Sequence, residues 1–288
     1  MILAVASGKG GTGKTTVAIG LARAAAAEGR TVLFLDCDVE APNAALFLHP
    51  EWEEERRVGV LLPEVDPEKC TGCGRCAEVC AYSALAVVNG KVLLFDDLCH
   101  GCGSCMRQCP EKAITERLHT TGSLHAGRAG AILFARGVLD VGRAMAPPVI
   151  RELKRWKLGG AGGPGRLAVL DAPPGASCPV VETLRGADRV LLVTEPTPFG
   201  LHDLEQAIGL ARDALGLPVD VVLNRADEGD DAVERFCEKE GIPVVLRIPF
   251  DRKIAEAYSE GIAPDHAVPE VGRAFRDLLL VLAGREGG

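Results

Sequence analysis

Ser7-Gly8-Lys9-Gly10-Gly11-Thr12-Gly13-Lys14-Thr15-Thr16 decides the fold of this chain. The stretch follows an apolar run, Ile2 to Ala6, that reads as a buried strand, and it precedes Val17 to Glu28, an Ala-rich stretch that reads as a helix. Gly8, Gly13, Lys14 and Thr15 spell Gly-x-x-x-x-Gly-Lys-Ser/Thr between that strand and that helix. Glycines at Gly8, Gly10, Gly11 and Gly13, with Thr12 among them, let successive backbone N–H groups wrap a polyphosphate. The new helix turns its positive dipole end toward the same oxygens. Lys14 is then within reach of the β- and γ-phosphates, and the Thr15 hydroxyl, followed by Thr16, is placed on Mg²⁺.

The 288 residues suggest two domains, or one large domain carrying an insertion. A net charge of −8 argues against non-specific nucleic-acid binding. No apolar run has the length of a membrane span, and Met1 leads straight into a strand, so a soluble cytoplasmic protein without membrane insertion is expected. Of eleven cysteines, eight lie between Cys70 and Cys109, leaving Cys37, Cys178 and Cys237 elsewhere. Such clustering in a reducing compartment reads as metal ligation, not as disulfides.

Downstream of the first helix, Thr31 to Leu35 reads as a second buried strand ending in Asp36-Cys37-Asp38. Carboxylates at the carboxyl end of a parallel strand border the ligand crevice, which places Asp38 to orient water or meet the Mg²⁺ shell. The alternative is that these aspartates cap the following helical turn, Asn43 to Leu48. From Pro50 to Val65 the periodicity dissolves into a charged run and a Pro-containing connector, expected as an irregular boundary.

An internal repeat follows. Cys70, Cys73, Cys76 and Cys80 match Cys99, Cys102, Cys105 and Cys109 at an offset of 29 residues, each run spelling C-x₂-C-x₂-C-x₃-C. Three closely spaced thiolates hold three corners of one cubane, and the fourth, carried off by a helical turn, ligates the other. Cys70, Cys73, Cys76 and Cys109 would then bind one [4Fe–4S] cluster, and Cys99, Cys102, Cys105 and Cys80 a second. Structural zinc is the alternative, although zinc usually pairs cysteines two by two across a loop. The region Asp66 to Arg117 resembles bacterial two-cluster ferredoxins. It departs from them at Ala81, where a proline often follows the fourth cysteine; Pro110 keeps that place in the second run.

Beyond His119 the pattern is mixed, with Ala131 to Phe134 read as one strand of a hairpin returning to the parent domain. Pro147 to Lys157 reads as a helix and Leu158 to Gly165 as a Gly-rich linker. Alternation resumes with the strand Arg166 to Leu170 ending in Asp171-Ala-Pro-Pro-Gly175. Asp171 has the position of a carboxylate that holds Mg²⁺ through water, and the Gly175 N–H that of a γ-phosphate sensor. Strands Val190 to Thr194, Val219 to Leu223 and Val244 to Ile248 alternate with helices read over Leu201 to Leu215, Asp231 to Glu240, Lys253 to Glu260 and Val271 to Ala283. This pattern demands a parallel sheet covered on both faces. The apolar stretch Leu278 to Leu282 is read as packing on that sheet.

With Lys9 inside the loop, Lys-Gly-Gly-Thr-Gly-Lys-Thr-Thr is similar to the deviant Walker A signature of the MinD/ParA/Mrp class of P-loop ATPases. Asp36 to Asp38, Asp171 to Gly175 and Leu223-Asn224-Arg225 fall where that class has switch I, switch II and its adenine-side residues. With the cysteine repeat, the chain resembles members of this class that carry an inserted ferredoxin domain. The resemblance implies a homodimer sandwiching ATP, with Lys9 reaching the partner's phosphates, Asp38 positioning the attacking water and Asn224 on the adenine. Carriers of the Mrp type use a late C-x-x-C pair that is missing here. Cys178 has a spacing from Asp171 similar to that of a cluster ligand in the nitrogenase iron protein, but Arg143 stands where a second ligand would be. Cys178 is read as a buried structural cysteine.

The expected fold is thus a doubly wound, mostly parallel α/β domain over residues 1–58 and 119–288, with a ferredoxin-like α+β insert over 59–118. The expected function is a cytoplasmic, dimeric Mg²⁺-ATPase that gates electron delivery from two [4Fe–4S] clusters to a partner protein. The alternatives are ATP-dependent iron–sulfur or metal cluster assembly, with a cluster-accepting partner, and a nucleotide switch without redox chemistry.

Overall fold

The computed structural model describes residues 1–159 and 166–284, and eleven strands lie among them. They are β1 (Ile2–Ala6), β2 (Thr31–Asp36), β3 (Glu51–Val65), β4 (Leu85–Val88), β5 (Lys91–Leu94), β6 (Ile114–Ala129), β7 (Ile132–Leu139), β8 (Arg166–Asp171), β9 (Arg189–Thr194), β10 (Val219–Asn224) and β11 (Val244–Ile248). Nine of them form one sheet in the order β11-β10-β9-β1-β8-β2-β7-β6-β3, and β4 pairs with β5 in a separate hairpin. From β11 to β7 every pairing is parallel, while β7–β6 and β6–β3 are antiparallel.

The parallel strands are apolar on both faces because both are covered. Leu3, Val5, Val32 and Phe34 face the helix Lys14–Ala27 and the last helix, Pro269–Ala283. Ala4, Ala6, Leu33 and Leu35 face the helices Pro147–Leu158, Cys178–Leu184 and Pro198–Ile208. Leu278, Leu279 and Leu282 are buried against the sheet, so the apolar end of the last helix is core, as expected. Phe275 lies so close to the first helix that a Cβ on Gly20 would come within 2.1 Å of its ring. Among the described residues, no helix is long and apolar enough to cross a membrane.

One expectation fails. The charged stretch after Pro50 is not an irregular connector but β3, paired from Glu51↔Arg128 to Val65↔Ile114 with β6. Its first half, Glu51 to Arg57, is an exposed edge strand. A strand with no buried face has no apolar alternation to read, and charges on an edge discourage pairing with another chain. At ~3.3 Å per residue the 15-residue strand is on the order of 50 Å long. Its inner half joins the sheet through β7, whose pairing with β6 begins at Gly122↔Leu139. The outer half, from Gly59 on β3 and up to Thr120 on β6, runs beyond the end of β7 and carries the cysteine-rich unit. The register shifts between Val58 and Gly59, with Thr121 the extra residue on β6, so the expected division at 58/59 falls on a β-bulge.

Other differences are local. The helix read over Leu201 to Leu215 begins at Pro198 and turns π-helical over Gly209–Ala214. Most of the expected linker Leu158 to Gly165 lies outside the described residues; Leu158 itself ends the helix that began at Pro147.

Candidate functional site

At the carboxyl end of β1 the chain order reverses, with β8 on one side and β9 on the other, and the crevice of an open α/β sheet lies there. A cleft of roughly 330 Å³ occupies that position. Lys9, Gly10, Gly11, Gly13, Lys14, Thr15 and Thr16 line its floor. Gly11 and Gly13 have φ of 81° and 89°, in the left-handed region, and Gly13 lies so close to Asn224 that a Cβ would come within 2.4 Å of its amide nitrogen. Gly8 is glycine for a different reason than phosphate contact: a Cβ there would sit 2.2 Å from the Asp203 carbonyl oxygen.

Lys14 and Thr15 open the first helix and converge on Asp171 at the end of β8. Lys14 Nζ lies 2.5 Å from Asp171 Oδ1, and the Thr15 hydroxyl donates to Oδ2 at 2.8 Å. Burial draws the Lys14 ammonium down, but Asp171, Asp36 and Asp38 together outweigh it and hold its pKa above the usual value. Asp36, fully buried at the end of β2, accepts from the backbone N–H groups of Asp38 (3.2 Å) and Ala44 (3.0 Å). Burial, and then the neighbouring Asp171 carboxylate, push Asp36 up to about 7. Asp36 therefore shapes the loop that presents Asp38 to the cleft, while burial also moves the Asp38 carboxyl upward.

Of Asn224 and Arg225, the pair expected on the adenine side, Asn224 is joined to the loop directly. Asn224 Nδ2 donates to the Thr12 carbonyl at 2.8 Å, and Arg225 holds a left-handed φ of 51° at the end of β10. Lys9 does not project into solvent: its Nζ lies 3.4 Å from Glu195 Oε2, and Arg225 Nη1 lies 3.1 Å from Oε1 of the same carboxylate. Glu195 lies in the run Thr194 to His202, which is similar to a run in the MinD/ParA/Mrp class, but local spacing gives no sign of its two basic partners. The far wall, with Phe250, Ile254 and Tyr258, also escaped the sequence reading. The one available signal was that β11 ends beside the same crevice. Gly175 is not on the cleft surface; its N–H donates to the Ser7 carbonyl at 2.9 Å.

The eight clustered cysteines surround two cavities in the sets expected from crossover of the fourth residue. Cys70, Cys73, Cys76 and Cys109 line one, and Cys80, Cys99, Cys102 and Cys105 the other. The two fourth cysteines are held alike, with Ala84 N–H directed at Cys80 Sγ and Ala113 N–H at Cys109 Sγ, both at 3.3 Å. Burial pushes the Cys76, Cys99 and Cys105 thiols up, whereas the Ser104 hydroxyl draws Cys102 down. Among the described residues, no three His, Cys, Asp or Glu side chains converge closely enough to hold a single metal ion. Cys178, expected to be buried, is exposed at the start of its helix, because the helix turns its later residues Val180 and Leu184 to the core.

A glycine loop with its lysine at the switch point of a parallel sheet belongs to the P-loop nucleotide-binding class. A family profile described as the CobQ/CobB/MinD/ParA nucleotide binding domain matches residues 3–264, and the chain belongs to that family. An uncharacterized protein of Methanocaldococcus jannaschii is 31% identical over 268 residues, covering 91% of this chain and 90% of its own length. An iron-sulfur cluster carrier protein of Pyrococcus abyssi is 26% identical over 278 residues, covering 90% of this chain and 77% of its own. Among solved structures, the septum site-determining protein MinD of Pyrococcus horikoshii, complexed with Mg-ADP, has the same fold. Its TM-score is 0.62 at 20% identity, with 99% of this chain and 97% of that one covered.

Proposed function

We propose that this protein is a dimeric Mg²⁺-ATPase whose nucleotide state governs electron delivery from two [4Fe–4S] clusters to a partner protein. The observation that carries this reading is the two four-cysteine cavities, held on a ribbon continuous with the nucleotide-binding sheet. Four sulfurs per cavity, with a backbone N–H aimed at the fourth, suit a cubane. The clusters, when bound, take up and release single electrons, and Mg²⁺ neutralises phosphate charge.

The remaining chemistry belongs to the chain itself. The Gly8 to Gly13 loop supplies backbone N–H groups to the phosphates, with the buried, unpartnered Thr12 Oγ1 beneath it. Lys14 exchanges one Asp171 oxygen for phosphate oxygens, and Thr15 with Asp171 forms the oxygen set a hard dication needs. Asp38 accepts a hydrogen bond from the attacking water and orients it. Water adds to the γ-phosphorus, the bond to the bridging oxygen breaks, and ADP and phosphate leave. Lys14, and Lys9 from across a dimer interface, balance the charge that develops. Gly175 gives up the Ser7 carbonyl to meet the γ-phosphate, so the Asp171 loop responds to nucleotide.

A second reading, ATP-dependent transfer of a cluster to an apo-protein, is favoured by the relatives named iron-sulfur cluster carrier proteins. Anaerobic preparation followed by EPR of the reduced protein, with and without ATP and Mg²⁺, separates the two. The redox reading expects about eight irons per chain that survive ATP turnover, and signals that change with nucleotide. Signals indifferent to nucleotide sink gating. Iron that leaves for an apo-protein on ATP addition supports the carrier reading instead.

A further inference from the structure

The carbonyl of Val39, the residue after Asp38, accepts the Leu139 N–H at 2.8 Å where β7 ends. Gly137, two residues earlier on β7, is packed so tightly that a Cβ would lie 2.6 Å from Val39 Cγ1. The Asp38 loop therefore rests on β7, without slack. The next residue, Asp140, donates its backbone N–H to the Thr121 carbonyl at 2.9 Å, and its carboxylate receives Arg57 at 2.6 Å. Thr121 is the extra residue of the bulge, and opposite it Gly59 presses on β6 so closely that a Cβ would stand 1.9 Å from the His119 carbonyl oxygen. Past the bulge, Val60 and Leu62 are buried with Ala84 and Cys99.

This line of contacts reaches one cysteine cavity before the other. Leu61, Pro63 and Glu116 of the ribbon line the cavity of Cys80, Cys99, Cys102 and Cys105. The cavity of Cys70, Cys73, Cys76 and Cys109 meets β6 only at its outer end, Ile114, which pairs with Val65. We propose that the path Asp38–Val39–Leu139–Asp140–Thr121 is the coupling joint between the nucleotide cleft and the cysteine-rich unit, and that the Cys80/Cys99/Cys102/Cys105 site is the one that feels nucleotide. A bulge is where a paired ribbon bends and changes its twist, so a shift there re-aims both strands beyond it. The joint works through the backbone hydrogen bonds and the Val39 packing, because the Arg57–Asp140 pair is exposed and contributes little in water. The inference rests on the nucleotide-governed reading above and specifies how that site is regulated.

Hydrogen exchange followed by mass spectrometry on the full chain, with and without ATP and Mg²⁺, tests the joint. Exchange is expected to change at residues 137–140 and 116–122 together with 36–44. Changes confined to the P-loop, residues 36–44 and residues 171–175 overturn the joint but leave nucleotide binding intact. No change anywhere sinks the underlying reading as well. Asp140→Pro removes the N–H given to Thr121, whereas Asp140→Ala removes only the Arg57 pair. Loss of the response at 116–122 is expected in the first and its retention in the second, both with ATP still bound; retention in both variants overturns the proposal. The order along the ribbon has its own readout. The EPR signal that shifts with nucleotide must be the one altered by Cys105→Ser, and if it is the one altered by Cys73→Ser, the assignment is wrong.

Discussion

Lys14 Nζ and Asp171 Oδ1 lie 2.5 Å apart, with both side chains out of solvent, 157 residues distant in sequence. The pair ties the first turn of the first helix to the end of β8 across the floor of the cleft, so Lys14 acts as a structural cation of the fold.

Removing it therefore has two effects. Lys14→Ala leaves Asp171 buried beside Asp36 without a cation, a loss of roughly 3–5 kcal/mol, or a fall in melting temperature on the order of 10 °C. ATP binding, read by calorimetry, is lost as well. The double variant Lys14→Ala/Asp171→Asn is expected to recover much of the stability and none of the binding. An unaltered melting temperature in Lys14→Ala would show that the ion pair carries no weight in the fold.

Glu195 holds both Lys9 and Arg225 at the mouth of the cleft. For Lys9 to engage phosphate, one of those contacts must break. Glu195→Gln removes a partly buried charge pair of about 1 kcal/mol, so ATP-dependent self-association is expected at about fivefold lower nucleotide concentration. Sedimentation velocity across an ATP titration measures it. A requirement for more ATP in the variant would mean that Glu195 positions Lys9 productively and does not compete for it.

The elevated Asp36 pKa makes stability depend on pH in a defined direction. Its folded value of about 7 lies above the ordinary 3.8, so between these values the folded state binds more protons than the unfolded state. The contribution is fully present below about 4 and is lost as pH rises through about 7. The nucleotide-free protein is thus expected to melt at lower temperature at pH 8 than at pH 6. Asp36→Asn removes the titration and flattens that slope. It also lowers stability at pH 6, since its single carbonyl oxygen replaces the two that accept from Asp38 and Ala44. Thermal melts of both proteins across that range decide the matter.

Crossover of the fourth cysteine predicts which variants behave alike. Cys109→Ser is expected to disturb the same EPR signal as Cys73→Ser, and Cys80→Ser the same signal as Cys102→Ser, since each pair shares a cavity. Iron falls from about eight to about four per chain wherever one cluster is lost. If Cys109→Ser disturbs the signal of Cys102→Ser, each run serves its own cluster.

Much of this protein is legible from its residues alone, because those parts are encoded locally. The phosphate loop is a run of neighbours whose spacing is its geometry, and the buried parallel strands announce themselves by apolar length. The cysteine runs repeat at a fixed spacing, and each of the two cavities is lined by three cysteines of one run and the fourth of the other. Tertiary structure decided what depends on partners far along the chain. The stretch after Pro50 becomes a strand only because Ile114–Ala129 pairs with it, and Gly8 is glycine because Asp203 lies against it. Lys9 is held by Glu195, and Phe250 and Tyr258 become a cleft wall only once β11 has joined the sheet. Local spacing sets which atoms can meet a ligand; only chain closure over a hundred residues or more sets which distant groups stand beside them.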